Sequence, residues 1–277
     1  MSIILTVQPY DDIQNYLDIV ESNGGGILNL NPTDTFYPTS DIVIPTNTVF
    51  NGNGATIDFD GEDFGVKMIG TALDYITNSS LMNVSIINSN TVGFETDYTD
   101  NPIYNLYDNV SIYDCTKGVS VSNAIAPVFI GTIADNGSNI EIYDTTSIEF
   151  RFLGVSGSTT GNNVTFDTCT SSTLFDSSFT DATGHGIIMT DCDDISFLSV
   201  SILGSGGDGV RLVSGNTNVT TNVVSSRSNT GYGVNILDAT TEDTIILGCN
   251  IKDNTAGQVS DSGTGTLIRS NIGVIDN

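Results

Sequence analysis

The chain has 277 residues, of which 33 are acidic and 7 are basic, so its formal net charge at pH 7 is −26. Phosphate binding needs a basic stripe, which this composition lacks, so we do not expect nucleic acid as a partner. The sequence contains no run of about 18 apolar residues, so no membrane-spanning helix is predicted.

The N-terminal segment, residues 1–10, has neither a basic start nor a cleavage site, so no secretory signal peptide is predicted in the chain. The composition is nevertheless rich in Asn, Thr, Ser and Asp, as expected for a large soluble surface outside cells. We therefore expect an extracellular or virion location, reached by lysis or inside a particle.

Residues 10–22 are predicted to form an amphipathic α-helix that caps a larger structure. Acidic residues stand in its expected first turn, and apolar residues recur with helical spacing at Ile13, Tyr16, Leu17 and Val20. Three glycines, residues 24–26, end this helix, and Ile27–Leu30 is predicted as the first strand.

A short phrase that starts with glycine recurs through the second half of the chain. The leading glycines are 23, 23 and 24 residues apart, in the phrases Gly161–Val164, Gly184–Ile187, Gly207–Val210 and Gly231–Val234. Self-similarity at such a period is typical of a solenoid, in which each turn buries its apolar face only against its neighbours.

Each phrase is followed by alternating apolar and polar residues, as in the segment Val210–Leu212. This alternation predicts short strands whose first and third side chains face the interior. A second strand is predicted before each phrase, for example at Ser178 and Ser201. Together these features predict an all-β parallel β-helix of turns of about 23 residues, a single domain over 1–277 whose turns occupy 27–277.

Aligning the turns on glycine places one residue of each turn at the same corner, and these residues are Asn162, His185, Asp208 and Tyr232. His185 is the only histidine of the chain, and its backbone is expected about 4.8 Å from that of Asp208. Arg211 is predicted to project outward between Ile188 and Asn235 of the neighbouring turns.

A histidine beside a carboxylate, with an arginine that pairs with a carboxylate group, suits acid–base chemistry on a uronate. We therefore predict catalytic roles for His185, Asp208 and Arg211. Ligand-binding roles are predicted for Tyr232, Asn162, Asn235 and Arg227. The alternative is that the corner residues are solvated and merely fit a turn.

Hydrolysis of a glycosidic bond usually needs two carboxylates, and the repeat places no second one beside Asp208. The acidic residues of this region are Glu149, Asp167, Asp191 and Asp194. No acidic loop has the spacing of a metal site, so no metal and no cofactor are predicted. Calcium held by stacked Asp residues remains the alternative.

Two further groups of residues are suited to binding. Arg227 and Lys252 align on successive turns and would form a small anion-binding strip. Four tyrosines of the first half suit either stacking on sugar rings or packing between subunits, and they are Tyr98, Tyr104, Tyr107 and Tyr113.

The cysteines are Cys115, Cys169, Cys192 and Cys249. Cys169 and Cys192 stand 23 residues apart and are expected to stack on successive turns. We interpret them as buried free thiols that pack as small apolar groups, with a disulfide bond as the alternative.

The chain resembles the pectate-lyase superfamily of right-handed parallel β-helix proteins. The resemblance rests on the helix, glycine and strand opening over Asp11–Leu30, the segment Val49–Gly54 and the repeats through Asn271. This superfamily includes pectate lyases, polygalacturonases, alginate epimerases and bacteriophage tailspikes. The resemblance implies a right-handed coil.

The phrase Gly184-His185-Gly186 is similar to a motif of polygalacturonase-like hydrolases. The segment Gly209–Val213 resembles the arginine motif that follows it there, without its lysine. The pair of aspartates expected one turn earlier is replaced by Asn162 and Asn163. The Asp-Pro-His motif of the epimerases is absent from the chain.

From this resemblance we expect a virion-associated protein of the phage tailspike or fibre kind that recognises host-surface polysaccharide. The resemblance also implies a homotrimer. Two alternatives remain open: a polysaccharide-degrading hydrolase or lyase that uses His185, Asp208 and Arg211, and a purely structural virion decoration protein.

Overall fold

A computed structural model of the protein describes residues 3–70, 79–98 and 105–273. The chain forms two compact units, residues 1–137 and residues 138–277. Each unit is a parallel β-solenoid, so the predicted fold class is confirmed. That residues 1–277 act as a single domain stays a prediction.

The described residues of unit 1 form one helix and eleven strands. In chain order these are β1 (Ile3–Val7), α1 (Ile13–Ser22), β2 (Gly26–Leu30), β3 (Thr35–Phe36), β4 (Ile42–Val43), β5 (Thr48–Asp58), β6 (Val66–Gly70), β7 (Ser80–Ile87), β8 (Val92–Tyr98), β9 (Leu106–Tyr113), β10 (Lys117–Ser122) and β11 (Val128–Ala134). Strands β1, β2, β5, β7, β9 and β11 stack in parallel in one sheet, and β4, β6, β8 and β10 stack in the other.

The predicted cap helix is present, and its bounds have a physical cause. The Asp12 side chain accepts the backbone N–H of Gln14 at 2.9 Å, so Asp12 is the N-cap and the helix begins at Ile13. The helix buries Ile13, Leu17 and Val20. Because the helix begins at Ile13 and not at residue 10, Asp11 and Asp12 precede it, and the expectation of acidic residues in its first turn is wrong.

The expectation that the first strand begins at Ile27 is wrong. Strand β1 precedes the helix and pairs in parallel with β2, with Ile3 opposite Gly26 and Val7 opposite Leu30. Only Val7 of β1 is fully buried, so the segment carries little of the alternation that marks a strand. Its pairing with a segment beyond the helix is a tertiary contact.

In the described residues of unit 2, each turn except the last has three strands, and the strands stack into three columns. Column I contains β12 (Ser138–Tyr143), β15 (Val164–Asp167), β18 (Ile187–Thr190), β21 (Val210–Leu212), β24 (Tyr232–Ile236) and β27 (Gly257–Asp261). Column II contains β13 (Glu149–Arg151), β16 (Thr173–Phe175), β19 (Ser196–Leu198), β22 (Thr220–Asn222), β25 (Ile245–Leu247) and β28 (Leu267–Arg269). Column III contains β14 (Gly154–Ser156), β17 (Ser178–Thr180), β20 (Ser201–Leu203), β23 (Ser225–Arg227) and β26 (Asn250–Lys252).

The predicted register of column I is confirmed. Val164, Ile187, Val210 and Val234 stack at the first position, and Thr165, Ile188, Arg211 and Asn235 stack at the second. The first and third side chains are buried in a dry core, for example Val210 and Leu212. The second side chains therefore form an outer face.

The strands of column III match the strands predicted before each phrase, whereas column II was not predicted. Column II strands have only three residues, and just the central one, such as Leu174 or Phe197, is fully buried. One buried residue between neighbours that are more exposed, some of them apolar as in Thr173–Phe175, is too short a pattern to mark a strand in sequence.

The corners between the columns use the left-handed backbone conformation. At the corner between columns II and III, for example, φ is 45° at Asp176, 57° at Ser199 and 62° at Gly248. Glycine adopts this conformation without strain, and Asn and Asp tolerate it better than most other residues. Repeated corners thus account for much of the Asp, Asn and Gly content of the chain.

All four cysteines are buried free thiols, as expected. The bridge between Thr170 and Asp193 sets Cys169 and Cys192 on adjacent turns. The close contact with Cys192 and burial together raise the pKa of the Cys169 thiol. Cys169 is therefore protonated at neutral pH and packs as an apolar group.

Candidate functional site

The predicted corner ladder is present, and backbone hydrogen bonds connect its members. Asn162 Oδ1 accepts the backbone N–H of His185 at 2.8 Å, and His185 Nδ1 accepts the backbone N–H of Asp208 at 2.8 Å. Asp208 Oδ1 in turn accepts the backbone N–H of Tyr232 at 2.7 Å. The side chains of Asn162, His185 and Asp208 therefore each satisfy an amide of the next turn.

The same ladder explains the glycine that precedes each corner residue. A Cβ at Gly184 would lie 2.6 Å from Asn162 Oδ1, and a Cβ at Gly207 would lie 2.5 Å from His185 Nδ1. At Gly231 a Cβ would collide with Asp208 Oδ1. The recurring phrase therefore leaves room for the side chain that folds over it from the preceding turn.

The second glycine of the phrase packs against the core. A Cβ at Gly186 would lie 2.5 Å from the Ile202 side chain and 2.7 Å from the carbonyl oxygen of Gly209. The two glycines of Gly184-His185-Gly186 thus follow from the packing of the solenoid itself, and they would be required here with or without a catalytic role for the histidine.

Asp208 is the centre of the site. Its side chain is only 5% exposed, and besides Tyr232 its carboxylate accepts Arg211 Nη1 at 3.1 Å and Asn235 Nδ2 at 2.9 Å, both at Oδ2. A buried carboxylate is stable when it is paired and hydrogen-bonded in this way. Asp208 therefore holds the arginine, the asparagine and the next turn in fixed positions.

His185 is neutral in this geometry. Its Nδ1 accepts the amide N–H of Asp208, so the ring proton lies on Nε2. Burial lowers the pKa of His185; the charge of Asp208 raises it and that of Arg211 lowers it. The separation of 3.6 Å between His185 Nδ1 and Asp208 Oδ2 is consequently not an ion pair at neutral pH.

Arg211 is the most accessible charged group of the site, with 31% of its side chain exposed. It stands on the outer face of column I between Ile188 and Asn235, as expected. Only one of its N–H groups is used by Asp208. The rest of the planar guanidinium is suited to binding a carboxylate through two hydrogen bonds.

Two residues of the same outer face, Glu141 and Tyr143, were not predicted from the sequence. Glu141 is in register with Thr165, and Tyr143 is in register with Asp167. Tyr143 Oη donates to Glu141 Oε2 at 2.8 Å. Burial, and to a smaller extent this bond, raises the pKa of Tyr143 to about 12. The turn of β12 lacks the leading glycine phrase, so the sequence gives no alignment for it. Only the register of β12 with β15 places these residues on the face.

The structure separates other predicted residues from this face. Arg227 is on column III, in register with Lys252, so the two do form a strip on successive turns. Glu149 is on column II, where it binds Arg151 at 2.6 Å. Asp191 and Asp194 occupy left-handed corners, with φ of 51° and 58°. Of the four acidic residues considered, only Asp167 shares the face of Arg211.

The tyrosine cluster is only partly available for binding. Tyr107 is 1% exposed and stacks on Phe129 with ring centroids 4.4 Å apart, so a sugar-binding role for it is wrong. Tyr104 and the side chain of Tyr98 lie outside the described residues. Tyr113 is half-buried at the end of β9.

Within residues 3–70, 79–98 and 105–273, no group of three or more His, Cys, Asp or Glu side chains is arranged to hold a metal ion. In that same part of the chain, no helix has the length and apolar character needed to cross a membrane.

The fold is similar to that of solved β-helix proteins. The A-module of the mannuronan C-5 epimerase AlgE6 of Azotobacter vinelandii aligns with a TM-score of 0.62 and 14% identity, over 98% of this chain and 97% of that one. The periplasmic alginate epimerase AlgG aligns with a TM-score of 0.59 and 13% identity, over 98% of this chain and 77% of that one.

A phage protein is also similar. Tailspike protein 2 from an Escherichia coli O157:H7 bacteriophage aligns with a TM-score of 0.70 and 13% identity, over 95% of this chain and 42% of that one. The sequence matches no protein-family model and no curated protein. At these identities the likeness establishes the β-helix fold, in agreement with the resemblance found in the sequence.

Proposed function

We propose that the protein binds a polysaccharide along the outer face of column I. The observation that carries this proposal is the register of outward-facing Thr165 and Arg211 on either side of Ile188, with His185 at the adjoining corner. Turns about 4.8 Å apart present such groups at regular intervals, which suits a chain-like ligand with repeating hydroxyl and carboxylate groups.

The chemistry of the face favours an acidic glycan. The guanidinium of Arg211 is fixed by Asp208 and presents its remaining N–H groups to a carboxylate. His185 adds an Nε2–H donor, and its side chain is 22% exposed. We assign Asn162, Asn235 and Tyr232 a positioning role, because their bonds to the ladder hold these two donors.

A catalytic function is the second candidate, and the neutral state of His185 favours it. A neutral imidazole with a lowered pKa is unprotonated near neutral pH, and a shift of its proton from Nε2 to Nδ1, which breaks the bond to the Asp208 amide, would let Nε2 accept a proton. Glu141 and Asp167 supply two carboxylates on the same face. In this candidate Asp208 is a positioning residue, because donors already occupy both of its oxygens.

The biological setting belongs to the same proposal. Similarity to a phage tailspike supports a virion-associated or extracellular protein. Recognition of host-surface glycan and assembly as a homotrimer are part of the proposal and follow from the resemblance found in the sequence. A structural decoration protein without a glycan site is the remaining candidate. Light scattering of the purified chain tests the trimer directly, since a monomer at micromolar concentration would contradict it.

The function is tested by titrating the protein with oligogalacturonate and oligoalginate while following reducing ends and the absorbance of unsaturated products. Binding without products, weakened about tenfold in Arg211→Ala, supports the binding proposal. Products that disappear in His185→Ala support the enzyme. Absence of binding and of products contradicts both and leaves the structural candidate.

A further inference from the structure

Unit 1 contains a cavity of about 530 Å³ beside the N-terminal end of α1. It is formed by the segment 9–13 that leads into the helix and by the segment 34–39 around β3. Its volume falls within the range of about 300 to 1,000 Å³ that is usual for small-molecule sites. The cavity belongs to unit 1 alone and shares no residue with the outer face of column I.

Two tyrosines of this cavity are unusually exposed. Tyr10 is fully exposed, and Tyr37 is 63% exposed. Tyr37, together with Pro38 and Thr39, also lines an adjoining cavity of about 380 Å³ that extends to Phe64. Exposed aromatic rings gain nothing from the core, but they offer flat apolar surfaces with a polar tip to a ligand.

Three carboxylates of the cavity each accept hydrogen bonds at only one of their two oxygens. Asp11 Oδ2 accepts the Tyr16 hydroxyl at 2.9 Å, and Asp12 Oδ1 accepts the Gln14 amide at 2.9 Å. Asp34 Oδ2 accepts the side-chain amide of Asn31. In the described part of the chain, the second oxygen of each carboxylate accepts no hydrogen bond.

These groups select a class of ligand. Fixed carboxylate oxygens accept hydrogen bonds from hydroxyl groups, and aromatic rings stack on the apolar face of a sugar ring. No Lys or Arg lines either cavity, so an anionic ligand would meet only repulsion. A metal ion is not favoured, since the described residues contain no metal-holding group of three such side chains.

We infer that the cavity of Tyr10, Tyr37, Asp11, Asp12 and Asp34 is a binding site for a neutral sugar. The two rings stack on successive pyranose units, and the carboxylates accept their hydroxyl groups. The site does not depend on the polysaccharide face proposed for unit 2. Its ligand is neutral, whereas the ligand proposed for that face is acidic.

The test is calorimetric titration of the full chain with neutral hexasaccharides, namely cellohexaose, maltohexaose and mannohexaose. We expect one of them to bind and Tyr37→Ala and Tyr10→Ala each to weaken it at least about tenfold, whereas Tyr37→Phe retains the ring and the affinity. The matched control is Phe152→Ala, because Phe152 is 62% exposed and belongs to unit 2.

The inference is overturned if none of the three hexasaccharides binds at millimolar concentration, or if the two tyrosine variants bind as the wild type does. Equal weakening by Phe152→Ala would also overturn it. The two sites are told apart with oligogalacturonate: Arg211→Ala should weaken binding of that ligand and leave binding of the neutral one unchanged, and Tyr37→Ala should do the reverse. Circular dichroism shows that each variant is folded.

Discussion

His185 Nδ1 accepts the backbone N–H of Asp208 at 2.8 Å, which joins the only histidine of the chain to the turn above it. The bond exists only while Nδ1 is unprotonated. A side chain that was expected to exchange protons with a substrate is therefore also a structural acceptor, and its protonation state affects the stacking of two turns.

Stability should fall as the solution is acidified through the pKa of an unfolded histidine. Because the pKa of His185 is lowered in the folded protein, the unfolded chain binds more protons near pH 6. The stabilisation is complete above about pH 6.5 and is lost as pH falls from there toward the folded pKa. Urea unfolding at several pH values between about 5 and 7.5 measures this slope.

The control for that experiment is His185→Asn. Asparagine already performs the same task one turn earlier, where Asn162 Oδ1 accepts the His185 amide. This variant should keep the acceptor, fold normally and flatten the slope between about pH 5.5 and 7. An unchanged slope would mean that groups other than His185 produce it.

Removing the carboxylate of Asp208 should destabilise unit 2. Asp208→Ala leaves the Tyr232 amide and the Asn235 side chain without their acceptor, so we expect a loss of about 2 to 4 kcal/mol in the free energy of unfolding. Asp208→Asn retains an acceptor for the Tyr232 amide and should lose less. Equal losses in the two variants, measured by urea unfolding, would contradict the assigned bonds.

Gly207→Ala should be destabilising because of the imidazole that lies over it. A Cβ at this position would collide with His185, so the cost should shrink in a His185→Ala background. Gly231→Ala is the matched comparison, since its Cβ would meet Asp208 and should show no such relief. A double-mutant cycle on unfolding free energies measures the coupling, which we expect to be about 1 kcal/mol.

Arg227 and Lys252 should bind small anions such as sulfate. They are in register on column III, and neither forms an ion pair with any described residue. Nε of Arg227 is also buried without a described acceptor. We expect Arg227→Gln and Lys252→Gln each to weaken sulfate binding at low salt about fivefold, which corresponds to about 1 kcal/mol.

Arg151→Gln is the control for the anion strip, because it removes the same charge from a guanidinium that Glu149 already neutralises. It should leave sulfate binding unchanged. If it weakens binding as much as Arg227→Gln does, the effect is one of net charge alone, and the strip is not a site.

The periodic glycine phrase was sufficient to predict the solenoid, the register of column I and the corner ladder. These features are local and repeated, because each turn must bury the same alternating side chains, such as Val210 and Leu212, against its neighbours. The helix was predicted for the same reason, since its apolar spacing buries Ile13, Leu17 and Val20.

Other features were decided only by the tertiary structure, because they depend on which segments of the chain lie against each other. β1 is held by a strand beyond the helix, and Glu141 reaches the outer face of column I only through the pairing of β12 with β15. Arg227 lies on another column than Arg211, although both are outward-facing. The cavity of Tyr10 and Tyr37 joins two segments that the helix separates in sequence. The contacts of β1 and of the cavity leave no periodic trace because each is made once, and the turn of β12 lacks the glycine phrase that marks the turns after it.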